Sequence, residues 1–352
     1  ADLDLSYVFG EKFLVAVFDY AENQAVYEIT LQLDNVRPYF TAIDRTNVND
    51  DYSVSYVGME ADGTAVKLAS NVGRDLARAA EYVEGAVFEI SNDNKLYVGM
   101  DEDLFTFTYV CNLDPTGEYQ LVGFNDLAYN KADGKLYGLF YSEKNNMAVP
   151  FLCTIDMFSG ALTVLGQMPI DANSMAIDGE GNFYSTIYDA SQLYTYTADV
   201  CETGKAKFVG MLDGYKTTTL NSMAWDHNTD ELYWAVTNDS ITNLLKVDPK
   251  TAKTEFINYF GFVTVGLYIA YESDSDLFAP TDQVLSVTLP ESTSTLAGSS
   301  VQLSALVAPW NVSDKSVTWT TSNAAVATVD ENGLVTAIGK ALLGVTGKLF
   351  KK

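Results

Sequence analysis

Histidine is nearly absent from this sequence, because His227 is the only one among 352 residues. A Ser-His-Asp or Cys-His catalytic arrangement and a histidine-based metal site both need this residue, so the composition argues against those classes of site. His227 itself lies in the polar turn DHNTDE between two strand-like segments, where we expect it to be exposed to solvent. No phosphate-binding loop or dinucleotide-binding fingerprint precedes a helix.

Cysteine and long apolar runs are also scarce. Cys111, Cys153 and Cys201 show no metal-ligand spacing such as C-x2-C, and their odd number argues against a disulfide framework. All three stand in apolar, strand-like contexts, which predicts buried free thiols. No run of about 18 apolar residues occurs, so no membrane-spanning segment is predicted.

Basic residues are few, since 21 Lys and Arg stand against 47 Asp and Glu, for a net charge of −26. Residues 282–352 contain five acidic and five basic residues, so the whole net charge lies in residues 1–281. Such a surface repels nucleic acid and anionic membranes, and we expect neither as a partner. It suits solubility outside the cell; the alternative is a surface that attracts cations.

Internal repeats predict the fold. The segments FNDLAYNKADGKLYGLF (124–140) and LNSMAWDHNTDELYWAV (220–236) align without a gap, and segments 14–30, 84–100 and 172–187 follow the same pattern. Each reads strand, polar turn, strand, which predicts a β-hairpin. A second hairpin follows each one, so four strands recur every ~40–48 residues, as in the blades of a β-propeller.

The repeats therefore predict an all-β chain with a six-bladed propeller over residues 1–280, seven blades being the less favoured count. Full blades are predicted at residues 11–59, 83–123, 124–166, 172–210 and 220–261. Residues 265–280 and 1–10 are predicted to share the sixth blade, which closes the ring. Residues 60–82 are expected to be an insert, and SNVGRDLARAAEYV (70–83) is predicted to be helical. Four tyrosines that recur at one blade position are expected to pack between blades: Tyr97, Tyr137, Tyr184 and Tyr233.

After residue 282 the sequence becomes rich in Ser, Thr, Val and Ala, with the segments SVTL, KSVTWTTSN and VATVDENGLVTAIG. These segments resemble the bacterial Ig-like domain of group 2 over about residues 283–339, so residues 283–352 are expected to form a small Ig-like β-sandwich. Trp310 and Trp319 are expected to belong to it, Trp319 as its core tryptophan. The family pattern closes on a Gly-Thr-Ala-type strand, whereas this chain reads KALLGVTGKLFKK, which predicts an unusual or incomplete last strand. The resemblance implies a protein that is secreted or attached to the bacterial cell surface.

Candidate ligand-binding residues come from the strand of each blade that lines the central channel. The aligned position is Val15, Gly85, Asn125, Asn173, Asn221 and Gly266 in successive blades. An asparagine amide offers a carbonyl to a hard cation, or both donor and acceptor to a sugar, although it equally serves to bind neighbouring backbone. Tyr129 and Trp225, each four residues past one of these asparagines, offer rings for a ligand, and Tyr20 is a weaker third.

The segment ANSMAIDGEGNFYSTI (172–187) is similar to the YVTN-type and gluconolactonase-like propeller repeat. In the calcium-dependent lactonases of that family, Asn and acidic side chains hold Ca²⁺ at the channel mouth. The resemblance implies Asn125, Asn173 and Asn221 as ligands, and Asp171, two residues from Asn173, is expected on the same side. Glu84 and Asp126 stand one residue from the aligned position, so strand alternation is expected to turn them to the other face.

Two functions follow from the sequence. The first is a monomeric secreted or cell-surface protein of the binding or adhesion type, without a cofactor, whose propeller binds a glycan or a protein and whose Ig-like module is a spacer. The second is a Ca²⁺-dependent lactonase or esterase that acts at the channel mouth.

Overall fold

The computed structural model describes residues 12–18, 24–30, 38–46, 55–61, 63, 65–69, 76–100, 106–115, 119–144, 147–212, 214–216, 220–238, 241–289, 295–338 and 345–347. Within these ranges the secondary structure is almost entirely β-strand, with one short helix at Val200–Thr203. No helix in the described ranges is long and apolar enough to cross a membrane.

Five four-stranded antiparallel sheets, named blades I to V, form the larger part of what the structure describes. Blade I consists of Thr264–Tyr268, Phe40–Asp44, Ser55–Met59 and Ala65–Ala69. Blade II consists of Ala77–Val83, Ala86–Ser91, Lys95–Met100 and Phe107–Asn112. Blade III consists of Leu121–Asn130, Lys135–Lys144, Met147–Ile155 and Leu162–Gln167. Blade IV consists of Ala176–Ile177, Phe183–Thr186, Gln192–Tyr196 and Lys207–Met211, and blade V of Asn221–Asp226, Glu231–Asn238, Ile241–Val247 and Thr254–Tyr259.

The first strand named for each blade is its inner strand. Each inner strand contacts the inner strands of the two neighbouring blades, in the order I, II, III, IV, V and back to I. The sheets thus surround a central channel, and the predicted all-β propeller is confirmed. The predicted count of six blades, or seven, is not confirmed, because the described strands close the ring with five.

The ring closes differently from the prediction. Thr264–Tyr268 is the inner strand of blade I and pairs with Phe40–Asp44, so the end of the propeller sequence completes the blade that begins at residue 40. Within the described residues, Lys12–Phe18 and Gln24–Thr30 pair with each other and not with the strands at 40–59, which the prediction had placed with them in one blade, 11–59. Residues 1–10, the predicted partner of 265–280, lie outside the described residues.

The segment predicted to be helical contains the inner strand of blade II, Ala77–Val83. Ala, Arg and Glu favour a helix, but this preference is worth tenths of a kcal/mol per residue and yields to tertiary packing. Here Ala79 and Ala80 are fully buried, and a Cβ added to Gly266 of blade I would lie 2.9 Å from the backbone N of Ala80. Small residues stand here because the inner strands of blades I and II approach closely.

The recurrent tyrosines mostly pack between blades, as predicted. Tyr137 of blade III meets Phe183 of blade IV edge to face, with ring centroids 4.9 Å apart. Tyr184 of blade IV stacks on Trp225 of blade V at 5.6 Å, and Tyr233 of blade V contacts Phe40 of blade I at 4.8 Å. Tyr97 differs, because its ring contacts Tyr109 of its own blade.

The C-terminal module consists of short strands in three small sheets: Ser286–Thr288 with Leu306–Ala308, Ser300–Gln302 with Leu334–Ala337 and Ala327–Val329, and Trp319–Thr321 with Val345–Gly347. Trp319 packs against the small core around Leu303, Ala327 and Val335, in agreement with its predicted role. The sequence KALLGVTGKLFKK supplies the strand Val345–Gly347, so the unusual ending still pairs with the rest of the module.

Trp310 docks this module onto the propeller instead of packing inside it. Its indole Nε1 donates to the Met157 carbonyl at 2.8 Å, and its backbone N donates to the Phe158 carbonyl at 3.2 Å, both in blade III. Its ring lies 5.7 Å from Phe278, which in turn contacts Phe88 of blade II. Trp310 retains only 9% of its exposure, so the contact is a buried one.

Candidate ligand site at the channel mouth

The predicted asparagines lie on blades III, IV and V, near the start of the inner strands, and all are buried. Asn125 Nδ2 donates to Asn173 Oδ1 at 2.6 Å, so the structure brings these two side chains together. Asn221 has a different role, because its Oδ1 accepts hydrogen bonds from the Trp234 indole at 3.1 Å and the Thr186 hydroxyl at 3.2 Å. Asn221 therefore fixes the contact between blades IV and V.

Arg78 takes the aligned position in blade II. The sequence alignment placed Gly85 there, but Gly85 forms the turn at the other end of the inner strand, with φ +91°. Arg78 NH2 donates to Asn125 Oδ1 at 3.1 Å, which creates a continuous polar chain from Arg78 through Asn125 to Asn173. Burial lowers the pKa of Arg78. Sequence reasoning missed this residue because its segment was predicted to be helical.

The other aligned positions carry no polar side chain. Val15 belongs to the separate hairpin, and Gly266 lies in the inner strand of blade I with φ +57°. Glu84 lies in the turn next to Gly85, at the far end of the channel, where its backbone N donates to the Tyr271 hydroxyl at 3.2 Å. The polar arc therefore occupies blades II to IV.

Tyr141, Asp171 and Tyr188 complete the border of the mouth. The Tyr141 hydroxyl lies 3.2 Å from Asp171 Oδ1 and 3.0 Å from the Ala172 carbonyl oxygen. Burial raises the pKa of the Asp171 carboxyl. The Tyr188 backbone N donates to the Asp171 carbonyl at 3.0 Å, and 45% of Tyr188 is exposed. We name the six residues Arg78, Asn125, Tyr141, Asp171, Asn173 and Tyr188 the mouth cluster.

Asp126 lies behind the mouth cluster and points inward, so its predicted orientation is wrong. Phe124 pairs with Phe140 and Asp126 with Leu139, which leaves Asn125 as the extra residue of a β-bulge and changes the alternation of side chains. Asp126 is fully buried and accepts hydrogen bonds from Met175 N at 3.0 Å, Met223 N at 3.1 Å and Ser222 Oγ at 2.9 Å. It thereby joins the inner strands of blades III, IV and V. Burial raises its pKa to about 7, although these hydrogen bonds act in the opposite direction.

Glu81 of blade II is the second acid inside the channel. Its carboxylate accepts hydrogen bonds from Tyr82 N at 2.8 Å and Tyr129 N at 3.3 Å. Burial raises its pKa to about 8, with a smaller contribution from the charge of Asp126. The predicted helix concealed this residue as well.

The predicted aromatic contacts lie deeper in the structure. Tyr129 is 7% exposed within the core of blades II and III. Trp225 stacks on Tyr184, and its Nε1 donates to Asp230 at 3.2 Å. Four residues of extended strand span about 13 Å, so neither ring borders the mouth cluster. Tyr20 lies outside the described residues.

His227 is half-buried, not exposed as predicted. Its ring contacts Tyr271 edge to face at 5.2 Å, at the far end of the channel. Burial lowers its pKa to about 4, and the nearby Lys131 acts in the same direction.

The predicted Ca²⁺ ligands do not match the needs of a divalent cation. The side-chain oxygens of Asn125, Asn173 and Asn221 already accept hydrogen bonds, and the one on Asn125 faces the guanidinium of Arg78. Across the described ranges, no group of three His, Cys, Asp or Glu residues is close enough to hold a metal ion. Ca²⁺ prefers oxygen ligands that include carboxylates, and here a cation stands beside the amides instead.

Comparison with known proteins assigns the C-terminal module to a family. Residues 283–347 match the family described as bacterial Ig-like domain (group 2). This module is a bacterial Ig-like domain. No match was found among curated protein sequences. The chain is similar in structure to one from a nidogen/laminin complex, with 10% identity over 66% of this chain and 99% of that chain and a TM-score of 0.44. It is similar to a gluconolactonase from Xanthomonas campestris, with 8% identity over 65% and 77% of the two chains and a TM-score of 0.39. It is also similar to regucalcin, a calcium-binding protein from Agrobacterium tumefaciens, with 13% identity over 67% and 76% of the two chains and a TM-score of 0.37.

A cleft of about 1360 Å³ lies between the Ig-like domain and the far end of the propeller channel. Tyr82, Tyr271 and Trp310 contribute aromatic walls, and Glu84 and Asp274 are among its acidic residues. Lys131 Nζ lies 4.0 Å from the centre of the Tyr271 ring and 4.0 Å from Glu84. Nothing in the repeat pattern indicated this cleft, because it exists only where the two domains meet.

Proposed function

We propose that this protein is a secreted or cell-surface binding protein of the adhesion type. Its propeller binds a glycan or a protein at the mouth cluster, and its Ig-like domain is the spacer. The chain of hydrogen bonds from Arg78 through Asn125 to Asn173 carries this proposal. These side chains project from inner strands that the rest of the ring holds in place, so their donors and acceptors are preorganised for a ligand. We also propose that the protein acts as a monomer outside the cell.

The docking of the Ig-like domain supports the role of a spacer with a fixed orientation. Trp310 combines two hydrogen bonds to blade III with a buried aromatic contact to Phe278. A flexible linker would allow the propeller to rotate freely, whereas this contact sets the direction in which the mouth faces.

The alternative, a Ca²⁺-dependent lactonase or esterase, requires a cation among the asparagines. The guanidinium of Arg78 already lies 3.1 Å from Asn125 Oδ1, so a second cation at this point would be repelled. Thermal melts with Ca²⁺ and with a chelator test this alternative directly. A shift of several degrees that disappears in Asn173→Ala would support the enzyme and contradict our proposal.

A glycan array probed with the labelled full chain tests the binding function. We expect a defined set of glycans to bind, and Asn125→Ala to lose that binding. Asn130→Ala is the matched control, because Asn130 lies on the same strand, is similarly buried at 4%, and accepts its hydrogen bond from Ala132 at the far end of the channel. Binding that is equally insensitive to both substitutions would contradict a ligand site at the mouth. An array on which nothing binds would contradict the glycan as ligand class.

A further inference from the structure

Arg78 is a cation without an acidic partner in the part of the chain that the structure describes. No described carboxylate lies within 4 Å of its guanidinium, and Asn125 is its hydrogen-bond partner. Asp171, the acidic member of the mouth cluster, is instead bonded to Tyr141. Among the described residues, no carboxylate therefore neutralises the charge of Arg78, and an anionic ligand would do so.

We propose that the mouth cluster binds a carboxylate-bearing sugar, such as a uronic acid, with Arg78 pairing with the sugar carboxylate. This proposal rests on the proposed binding function and names its ligand class. The guanidinium has five N–H donors in a planar fork that fits a carboxylate with two parallel hydrogen bonds. The bond to Asn125 uses one donor and fixes the plane of the fork. Arg45 contacts the same strand, because its NH1 donates to the carbonyl of Ala77 at 3.0 Å.

The rest of the mouth cluster favours a sugar over a simple anion. Tyr188 offers a ring that is 45% exposed, and an amphipathic ring of this kind packs against the apolar face of a pyranose. Asp171 is exposed, and its carboxylate supplies an acceptor for sugar hydroxyl groups. The carboxylate of Asp171 also disfavours a ligand with several negative charges. The net charge of −26 acts in the same sense, so a ligand with a single acidic group fits best.

Titration of the full chain with sodium glucuronate, followed by calorimetry or ligand-observed NMR, tests this assignment. Glucose is the uncharged comparison, and acetate and phosphate are the comparisons for a bare anion. We expect glucuronate to bind more tightly than all three. Arg78→Gln should weaken glucuronate binding by at least ~10-fold, which corresponds to the loss of one charge-assisted hydrogen bond. Arg78→Lys keeps the charge but not the fork, and should retain only part of the affinity.

Lys131→Gln is the matched control, because it removes a positive charge at the far end of the channel and should leave binding unchanged. Circular dichroism and thermal melts establish whether each variant is folded. If Arg78→Gln does not fold, the affinity of Arg78→Lys for glucuronate tests the proposal. No glucuronate binding, equal binding of glucose, equal binding of acetate, or an unchanged affinity in the Arg78 variants would each overturn the proposal. If neutral glycans bind the array and depend on Asn125, the proposed function stands while the acidic sugar does not.

Discussion

Replacement of Asp126 by alanine tests whether this side chain holds the inner strands together. The substitution removes the acceptor for three backbone N–H groups, of Leu127, Met175 and Met223, and for the Ser222 hydroxyl. All of these groups are buried, and a buried donor left without a partner costs about 1–3 kcal/mol. We therefore expect Asp126→Ala to lower the free energy of unfolding by roughly 3–6 kcal/mol when the carboxyl is neutral.

The loss in free energy of unfolding caused by Asp126→Ala should be smaller at high pH than at low pH. Burial raises the pKa of Asp126 from 3.8 to about 7, so its stabilising contribution is complete below about pH 4 and declines as the pH rises through 7. With 1.36 kcal/mol per pKa unit, the decline between pH 5 and pH 8 is about 2–3 kcal/mol. Alanine carries no such dependence, so the cost of the substitution should be smaller at pH 8 than at pH 5 by this amount.

Urea denaturation of both proteins at pH 5 and pH 8 measures the two quantities. Asp248→Ala is the control, because Asp248 is an exposed turn residue that accepts from Lys250 N and Thr251 Oγ1, and its loss should cost no more than about 0.5 kcal/mol. A cost below about 1 kcal/mol at pH 5, or a larger cost at pH 8 than at pH 5, would refute the reasoning.

Three further predictions concern the channel, the domain contact and the thiols. Burial raises the pKa of Glu81 to about 8, and Glu81→Gln replaces this acid with a permanently neutral side chain. The substitution should therefore stabilise the protein at pH 8.5 but not at pH 5. Melting temperatures that shift equally at both pH values would contradict this prediction. Trp310→Ala should cost about 3–5 kcal/mol at the domain contact and separate the melting of the two domains in calorimetry, whereas one unchanged transition would contradict the docking. Burial raises the thiol pKa of all three cysteines, so a thiol reagent at pH 8 should leave Cys153 unmodified and react slowly with Cys111 and Cys201 until urea is added; immediate reaction of all three would show that the thiols are accessible.

The local features of the propeller were predictable because each is encoded within a few residues. Alternating apolar positions and Asp or Asn at the turns predict the hairpins, and Asp226 and Asp178 accept hydrogen bonds from the turn residues that follow them. The repeated tyrosines predict packing between blades because neighbouring blades present the same surface to each other. These sheets span residues 121–167, 176–211 and 221–259, near the predicted 124–166, 172–210 and 220–261.

Ring closure was not predictable from local pattern. Thr264–Tyr268 and Phe40–Asp44 are separated by more than two hundred residues, and nothing in either segment specifies the other as its partner. The inner strand Ala77–Val83 was not predictable for the same reason. Its alanines are needed because little space is left beside Gly266, and this close approach exists only in the closed ring.

The mouth cluster depends on two β-bulges that interrupt the repeat. Arg78 is the unpaired residue between Ala77 and Ala79, and Asn125 is the unpaired residue between Phe124 and Asp126. A bulge turns its extra side chain away from the regular alternation, and adjacent blades with bulges at the same level turn these two side chains toward each other. The hydrogen bond between Arg78 and Asn125 is the result. An alignment that preserves the period of the repeat compares equivalent positions, and it therefore finds the asparagines of blades III, IV and V although their contacts differ. Arg78 of blade II has no counterpart at the equivalent position of the other blades. It adds to the channel mouth a positive charge that the repeated residues do not supply.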